Sequence, residues 1–519
     1  MRASDAQRFQ ICFATIRNNR LLSPLAVNEG RRGIVTRLQI LPFEPIRIAT
    51  KALLVAIAWI LFLTIFSSCA FSQQISPVDP PAEAQNNGGT DATPQAPTAS
   101  PQTSKVPASA PKPKRLDCPH SADPHRRHSG CKDEDFDSDE ALSKSWNGVR
   151  FKMRQLGFSP ALSYTGALQT NVTGGPHQIW GYAGQLVAGL NVNLEKLLKI
   201  PGMSLFVGGS WGTGDNLSGS LHNLFPVNTL YAPSYYLGEM YLQQTLLKNN
   251  LTLLVGRLAA ANTFATLPVL TNYVNYGINP NPYPLGGNDI SFFGPPTGTE
   301  WGAQASYNVT PVVQISAGLF NNNLDSANGQ NHGTYWTLQQ GNKGALVVAE
   351  VSYFPHQIEK DQGKQGEYTL GLITDNNSFP TLPEGQTKSG GYTGVFAMGQ
   401  EVVYQPDGPG TPRGLTVWGS WSYNAKPLIS ILPLFCGAGA SYQGLIPARK
   451  NDVVSVGWIY GRLSNFVPGT SAEQVLEVNY RWLYRRFLAV TPDFQYIWKP
   501  GGSSIPGVAV AGVQVSVTF

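Results

Sequence analysis

Charge is scarce in this sequence. Asp, Glu, Lys and Arg make up 13% of its 519 residues, against about 25% in an ordinary soluble protein. Long apolar runs are scarcer still. The longest, 52–66, has 15 residues, and a helix needs about 20 to cross a bilayer. A polytopic helical membrane protein is therefore excluded. A disordered polyelectrolyte is excluded too, because 42% of the residues are hydrophobic. Catalytic signatures are also missing, with neither a Walker loop nor H-E-x-x-H present. Gly208-Gly209-Ser210-Trp211-Gly212 matches the G-x-S-x-G nucleophile elbow, but that elbow needs a strand turning into a helix. Here Thr213-Gly214-Asp215-Asn216-Leu217-Ser218-Gly219 follows, with no helical period. Scattered carboxylates leave a glycosidase pair unsupported. What the chain has in plenty is glycine, 54 residues, and aromatic rings placed late: all 21 Tyr lie at or after Tyr164, and 10 of 11 Trp at or after Trp146. A Gly- and aromatic-rich β protein remains, soluble or barrel-forming.

The formal charge of +5 and pI of 8.8 would suit a nucleic-acid partner. The positive charge is confined to the beginning of the chain, however. Residues 1–51 carry nine basic and three acidic side chains, 52–157 eleven of each, and 158–519 17 basic and 18 acidic. A basic stretch ahead of an apolar one reads as an export signal, so no nucleic-acid partner is expected. Small residues at Ala70 and Ser72 fit cleavage before Gln73. Lipidation at Cys69 is the alternative, against which Phe66 stands where such signals carry Leu. Fifty-one residues are too many before a signal core, so the start is expected downstream, at a codon other than ATG, since no Met lies between Met1 and Met153. Residues 1–72 are thus read as leader. Residues 73–115, rich in Pro, Ala, Thr, Ser and Gln, are read as a disordered tether. Residues 116–158 are read as a periplasmic segment with a short helix, and 159–519 as the folded body.

The segment 116–158 holds Cys118, His120, His125, His128 and Cys131. Such a cluster could bind Zn²⁺, though its spacing matches no common zinc motif. Export favours a Cys118–Cys131 disulfide, and a role in neither remains open. No cofactor is expected. Cys436 is the odd cysteine, read as a small apolar residue that is buried or faces lipid.

From Ser159 onward the apolar pattern has period two. The last segment shows it best, with Ala509, Ala511, Val513, Val515, Val517 and Phe519 on one face and Val508, Val510, Gly512, Gln514, Ser516 and Thr518 on the other. Sixteen such segments are legible: 160–170, 178–194, 202–213, 234–247, 250–260, 299–309, 311–321, 343–354, 366–374, 393–405, 413–424, 435–443, 452–463, 472–484, 487–497 and 506–519. Most have the length of a tilted membrane-spanning strand. Connections after the second, fourth, sixth, tenth, twelfth and fourteenth segments are short, the eighth is moderate, and the early odd ones are long: 214–233, 261–298, 322–342 and 375–392. Outer-membrane barrels sort their loops this way, whereas a soluble sandwich has no reason to. An even strand count places both termini on the periplasmic side. Tyr480, Trp482, Tyr484, Tyr496 and Trp498 near segment ends fit interface girdles. The expected fold is an all-β, antiparallel transmembrane barrel of about sixteen strands.

Four groups of motifs then carry a resemblance. They are Glu477…Tyr480 with Thr491-Pro492-Asp493-Phe494-Gln495-Tyr496-Ile497 and Pro500-Gly501-Gly502; Tyr442-Gln443-Gly444-Leu445…Arg449…Asp452; Leu237-Gly238-Glu239-Met240-Tyr241-Leu242-Gln243-Gln244…Val255-Gly256-Arg257; and Tyr164-Thr165-Gly166 with Asn171…Gly174-Gly175, after Trp146…Arg150…Leu156-Gly157. In this order, over 146–519, they resemble the carbohydrate-selective porins of the OprB type. The resemblance implies a sixteen-stranded outer-membrane barrel admitting mono- or oligosaccharides by passive diffusion, not an enzyme. Implied partners are outer-membrane lipid and the barrel-assembly machinery, which would read Phe519 on the apolar terminal strand. A homo-oligomer is left open. A secreted β-rich binding or structural protein is the alternative function, and an outer-membrane enzyme trails it.

Alternation assigns faces. With Met240 and Leu242 toward lipid, Glu239, Tyr241 and Gln243 point inward. By the same rule Glu350, Glu401, Glu477, Asn479, Arg481, Asp493 and Gln495 point inward. A charge facing lipid at mid-depth would cost about 2–4 kcal/mol for Arg or Lys and less for Asp or Glu. Arg257 shares parity with Leu251, Leu253 and Val255, which suits the rim, and joins the pore-lining set on the resemblance. A neutral, hydroxyl-rich solute calls for paired donors and acceptors and flat rings. Loop 261–298 carries Tyr273, Tyr276, Tyr283, Phe292 and Phe293, stiffened by Pro280, Pro282 and Pro284. It is expected either to fold into the barrel and narrow it or to cap the outside.

Overall fold

A computed structural model describes residues 141–519, except 144–145, 147, 176, 231–234, 283–284, 286–298, 323–331, 333–343, 356–364, 384–387 and 409–410. The leader, the tether and the Cys118–Cys131 cluster lie outside the described residues. A helix α1 (Val149–Leu156) leads into sixteen strands. The first eight are β1 (Phe158–Thr173), β2 (Trp180–Asn193), β3 (Met203–Gly214), β4 (Tyr235–Leu246), β5 (Leu251–Leu258), β6 (Glu300–Thr310), β7 (Val313–Asn322) and β8 (Gly344–Tyr353). The second eight are β9 (Gly366–Pro380), β10 (Lys388–Tyr404), β11 (Gly414–Asn424), β12 (Leu434–Gln443), β13 (Val453–Arg462), β14 (Ala472–Arg485), β15 (Leu488–Trp498) and β16 (Val508–Thr518). Every strand pairs antiparallel with its sequence neighbours, and β1 pairs with β16, so the sheet closes into a barrel. Closure leaves no sheet edge, as a strand structure in hydrocarbon requires. No helix among the described residues is long and apolar enough to cross a membrane.

The period of two puts apolar side chains on the outside. Leu168, Leu242, Val255, Leu319, Val351, Leu370, Val478, Phe494 and Val513 all lie exposed on the outer face. Rings flank this band. Trp482, Tyr484 and Tyr404 lie toward one end of the barrel, and Trp180, Trp211, Tyr235 and Trp498 toward the other. The inner face is polar in places and apolar in others. Leu346, Val348, Ile373, Phe396, Trp418, Phe435, Ile459, Val475 and Ile497 are all buried there. They meet Phe225, Phe264, Leu270, Tyr273 and Ile278, which come from the connections 215–234 and 259–299, so one hydrophobic cluster fills part of the barrel.

The hairpin β9–β10 differs from its expectation. Its strands stay paired from Gly366–Glu401 to Pro380–Lys388, so the loop expected over 375–392 shrinks to 381–387. Its outer half is polar, including Asp375, Asn376, Asn377 and Ser378, and an apolar-alternation rule stops where the polar extension begins. The other long connections, 215–234, 259–299 and 323–343, follow strands β3, β5 and β7 as expected. At the opposite end, α1 sits beside the first short turns. Asn193 N–H donates to Gly157 O at 2.7 Å and Lys196 Nζ to Arg154 O at 2.7 Å. The Arg150 guanidinium donates to the carbonyl of Phe519, and its carbon lies 4.5 Å from the Trp146 ring centre. Phe519 N–H donates to Leu162 O at 2.9 Å across the seam. Both described ends of the chain therefore stand at the short-turn end.

Candidate functional site

The described residues of connection 259–299 do not cap the barrel. They run round the inside of the wall, and successive strands hold them in sequence order. On β4, Glu239 accepts from Ala259 N–H at 3.1 Å and from Asn262 Nδ2 at 2.6 Å. On β6, Gln304 Nε2 donates to Thr263 Oγ1 at 2.6 Å. On β8, Glu350 accepts from Ala265 N–H at 2.9 Å. On β10, Gln400 accepts from Val269 N–H at 2.9 Å. On β14, Glu477 accepts from Val274 N–H at 2.8 Å and Asn275 N–H at 2.9 Å. Connection 215–234 lies beside it, where Glu473 accepts from Leu224 N–H at 2.6 Å and Phe225 N–H at 2.8 Å. Gln495 Nε2 donates to Val227 O at 2.7 Å, and its Oε1 accepts from Asn275 Nδ2 at 2.9 Å, so one side chain ties both connections to β15.

The physical reason is plain. A loop inside a barrel buries backbone N–H groups that find no sheet partner. Inward carboxylates supply acceptors, and a hydrogen bond to a charged group contributes about 1.5–3 kcal/mol. Glu473 and Glu477 are fully buried by these contacts. The apolar inner residues complete the seat. Tyr273 drives its ring against Trp418, centres 5.5 Å apart at 76°. Its hydroxyl accepts from Trp418 Nε1 at 2.8 Å and lies 2.9 Å from Val456 O and 3.1 Å from Ala440 O. The ring approaches so closely that a Cβ at Gly457 would lie 2.7 Å from Tyr273 Cε1.

The expected inward residues thus divide. Glu239, Glu350 and Glu477 are inward, and each holds a loop. Tyr241 is inward, its ring 5.3 Å from Phe206. Asp493 and Gln495 are inward and linked, Gln495 Nε2 to Asp493 Oδ2 at 2.8 Å, with Gln169 Nε2 on the same oxygen at 3.3 Å. Glu401 is corrected. Phe396, Met398 and Gln400 face in, so Glu401 faces out with Val395 and Ala397, and accepts from Tyr368 OH at 2.6 Å. The cause is a register shift between Val402 and Tyr404, which returns Tyr404 to the outer face and makes the end of β10 misread by one residue. Arg257 shares the parity of exposed Val255 but is buried, as is the adjacent Leu258, and it donates from Nε to Thr299 Oγ1 at 2.9 Å. Cys436 is buried, as one of the two expected placements has it.

Arg481 is different from the carboxylates. It lies on the inner face of β14, opposite Val453, one step nearer the short turns than Asn479. It is only half-buried and makes no hydrogen bond or ion pair among the described residues. Four cross-strand hydroxyl pairs also occupy the inner face: Thr165–Ser516 at 3.2 Å, Ser306–Ser316 at 2.9 Å, Ser352–Thr369 at 2.8 Å and Ser441–Ser455 at 2.9 Å. Sequence reasoning missed these pairs, Gln400 and Glu473. Glu473 shares parity with Glu477 four residues on, which was the available sign. The hydroxyl pairs emerge only once the register is known. Among the described residues no group of three His, Cys, Asp or Glu is placed to hold a metal.

A collar of loop held inside a closed sixteen-stranded barrel is the geometry of a restricted channel. The family profile described as carbohydrate-selective porin, OprB family, matches residues 177–519. The chain belongs to that family. Porin B of Pseudomonas aeruginosa is 22% identical over 434 residues, spanning 72% of this chain and 90% of its own. The putative porin QuiX of Acinetobacter baylyi is 22% identical over 428 residues, spanning 73% and 93%. The high-pH structure of Pseudomonas putida OprB superposes with a TM-score of 0.68 at 21% identity, covering 73% of this chain and 98% of that one. At that identity the superposition shows the shared fold. The family and the barrel make this an outer-membrane porin.

Proposed function

We propose that this porin passes mono- or oligosaccharides by passive diffusion through the space left beside the loop collar, and that it is a channel and not an enzyme. The observation that carries the reading is the collar, held in order by β4, β6, β8, β10 and β14. In this reading the buried glutamates set the width and leave recognition to groups with spare hydrogen-bonding capacity. These are Arg481 and the hydroxyl pairs, whose lone pairs and donors match the alternating hydroxyls of a sugar. Both termini stand in the periplasm, with the cleaved leader 1–72 and the tether 73–115 preceding the segment 116–158. The assembly machinery reads the terminal strand ending in Phe519. Liposome swelling over a panel of sugars and size-matched polyols tests the reading. Faster swelling with sugars supports it, and rates ordered by size alone would refute it.

A further inference from the structure

The rim that carries the short turns combines two kinds of side chain seldom exposed together. Leu197, Leu198 and Ile200 are exposed beside Lys196 and Lys199, in the turn that holds the short helix α2 (Leu194–Leu198). Leu246 and Leu247 are exposed beside Lys248, and Leu445 and Ile446 beside Arg449 and Lys450. Rings join the cations: Arg449 lies 5.5 Å from the Trp482 ring centre and Arg485 5.9 Å from that of Tyr484. The described anions of the turns at 194–202, 405–413 and 444–452 are engaged. Asp407 pairs with Arg413 at 3.3 Å, Asp452 with Arg449 at 2.8 Å, and Glu195 accepts from Gly202 N–H at 3.2 Å. That leaves Lys199, Lys248 and Lys450 exposed, with no acidic side chain against them among the described residues.

Aliphatic side chains on turns gain about 25 cal/mol per Å² when taken out of water. A lysine next to them can lay its stem on hydrocarbon and lift its ammonium to the headgroups. Three turns repeat this pairing, after β2, β4 and β12, at the Trp482–Tyr484–Tyr404 end of the apolar band. We propose that the short-turn rim is a docking surface for anionic phospholipid headgroups. Leu197, Leu198, Leu247, Leu445 and Ile446 enter the acyl boundary, and Lys199, Lys248 and Lys450 bind the phosphodiester oxygens. The inference rests on the outer-membrane porin reading for the leaflet concerned, the periplasmic one, but not for the chemistry.

The test uses the full chain in phosphatidylcholine vesicles doped with equal fractions of brominated phosphatidylglycerol or brominated phosphatidylcholine. Bromine quenches nearby tryptophans, Trp482 among them. Each cation near an anionic surface is worth about five-fold in lipid association (about 1 kcal/mol). The annular preference for the anionic lipid is expected at about three-fold or more. Joint Lys199→Gln, Lys248→Gln and Lys450→Gln should bring it near unity, joint Lys→Arg at the same sites should keep it, and Lys426→Gln with Lys499→Gln at the other end should leave it intact. Equal quenching by both lipids in the parent chain, or a preference that survives the triple Gln variant, would overturn the proposal. So would displacement of the lipid by soluble anionic cell-wall fragments, which would assign the rim to a wall polymer. Sugar flux in the same vesicles separates the two readings: flux without lipid preference sinks only this inference, and lipid preference without flux sinks only the porin reading.

Discussion

The inner faces of β14 and β15 hold two kinds of polar group within a few residues of each other. On the long-loop side, Glu473 and Glu477 are fully buried and saturated with backbone N–H groups of the infolded connections. Two steps further on, past Asn479, Arg481 is half-buried and unpaired among the described residues. The carboxylates accept from the loop backbone, which a donor-only guanidinium cannot do. An inward charge covered by loop backbone is part of the scaffold, and in the proposed function the one below the loop is left for solute. Inward parity alone does not identify a solute-contacting residue.

The largest effect should come from breaking the scaffold half. Glu477→Ala leaves Val274 and Asn275 N–H without their acceptor inside the barrel, a loss of about 2–5 kcal/mol for the loop seat. Single-channel conductance to salt should rise as the collar loosens, while Glu477→Gln, which keeps one acceptor oxygen, should change it less. Unchanged conductance in the alanine variant would show that the collar does not set the width. Gly457→Val attacks the same seat from the apolar side, since a side chain there meets the Tyr273 ring. Overpacking of this kind costs about 1–3 kcal/mol, and amide exchange over 270–279 should speed up. Native protection there would contradict the close approach.

Arg481→Ala should act on the solute half. Sugar block of ion current should weaken by about 1.5–3 kcal/mol if a charged hydrogen bond to the solute is lost, with exchange over 259–282 unaltered. The smallest effects belong to residues outside both halves. Glu401→Gln on the outer face should leave sugar block and conductance within about 0.5 kcal/mol of the parent, and a large change would restore it to the lumen.

The turn at 444–452 offers a pH check on the wall's lower edge. Burial acts to raise the Asp452 carboxyl, but hydrogen bonds from Arg449, Tyr480 and Leu483 N–H outweigh it and hold it below its ordinary value. A depressed carboxyl adds stability at pH above the usual carboxylate range, and that stability is lost as pH falls through the lowered value. Amide exchange at Leu483 should therefore accelerate only in strong acid, and Asp452→Asn should show the fast rate already at neutral pH.

The barrel was legible because its physics repeats every two residues. Sixteen alternating segments map onto sixteen strands, and the loops after β3, β5 and β7 announced themselves by length. The failures occur where the period is interrupted. The shift between Val402 and Tyr404 turned Glu401 outward and hid Gln400, and the polar outer half of β9–β10 looked like loop. The candidate site was less legible for another reason. Alternation says which face Glu239, Glu350 and Glu477 occupy, but not that Ala259, Ala265 and Val274 come back through the barrel to use them. That depends on contacts across as many as 203 positions of sequence, between Val274 and Glu477, which no local pattern encodes.

The division of labour on β14 is tested most directly by measuring salt conductance and sugar block on the same single channels of Glu477→Ala and Arg481→Ala. Separation is predicted: the glutamate variant raises conductance, while the arginine variant weakens sugar block with conductance little changed. Parallel shifts of both quantities in both variants would contradict it and place the two side chains in one constriction.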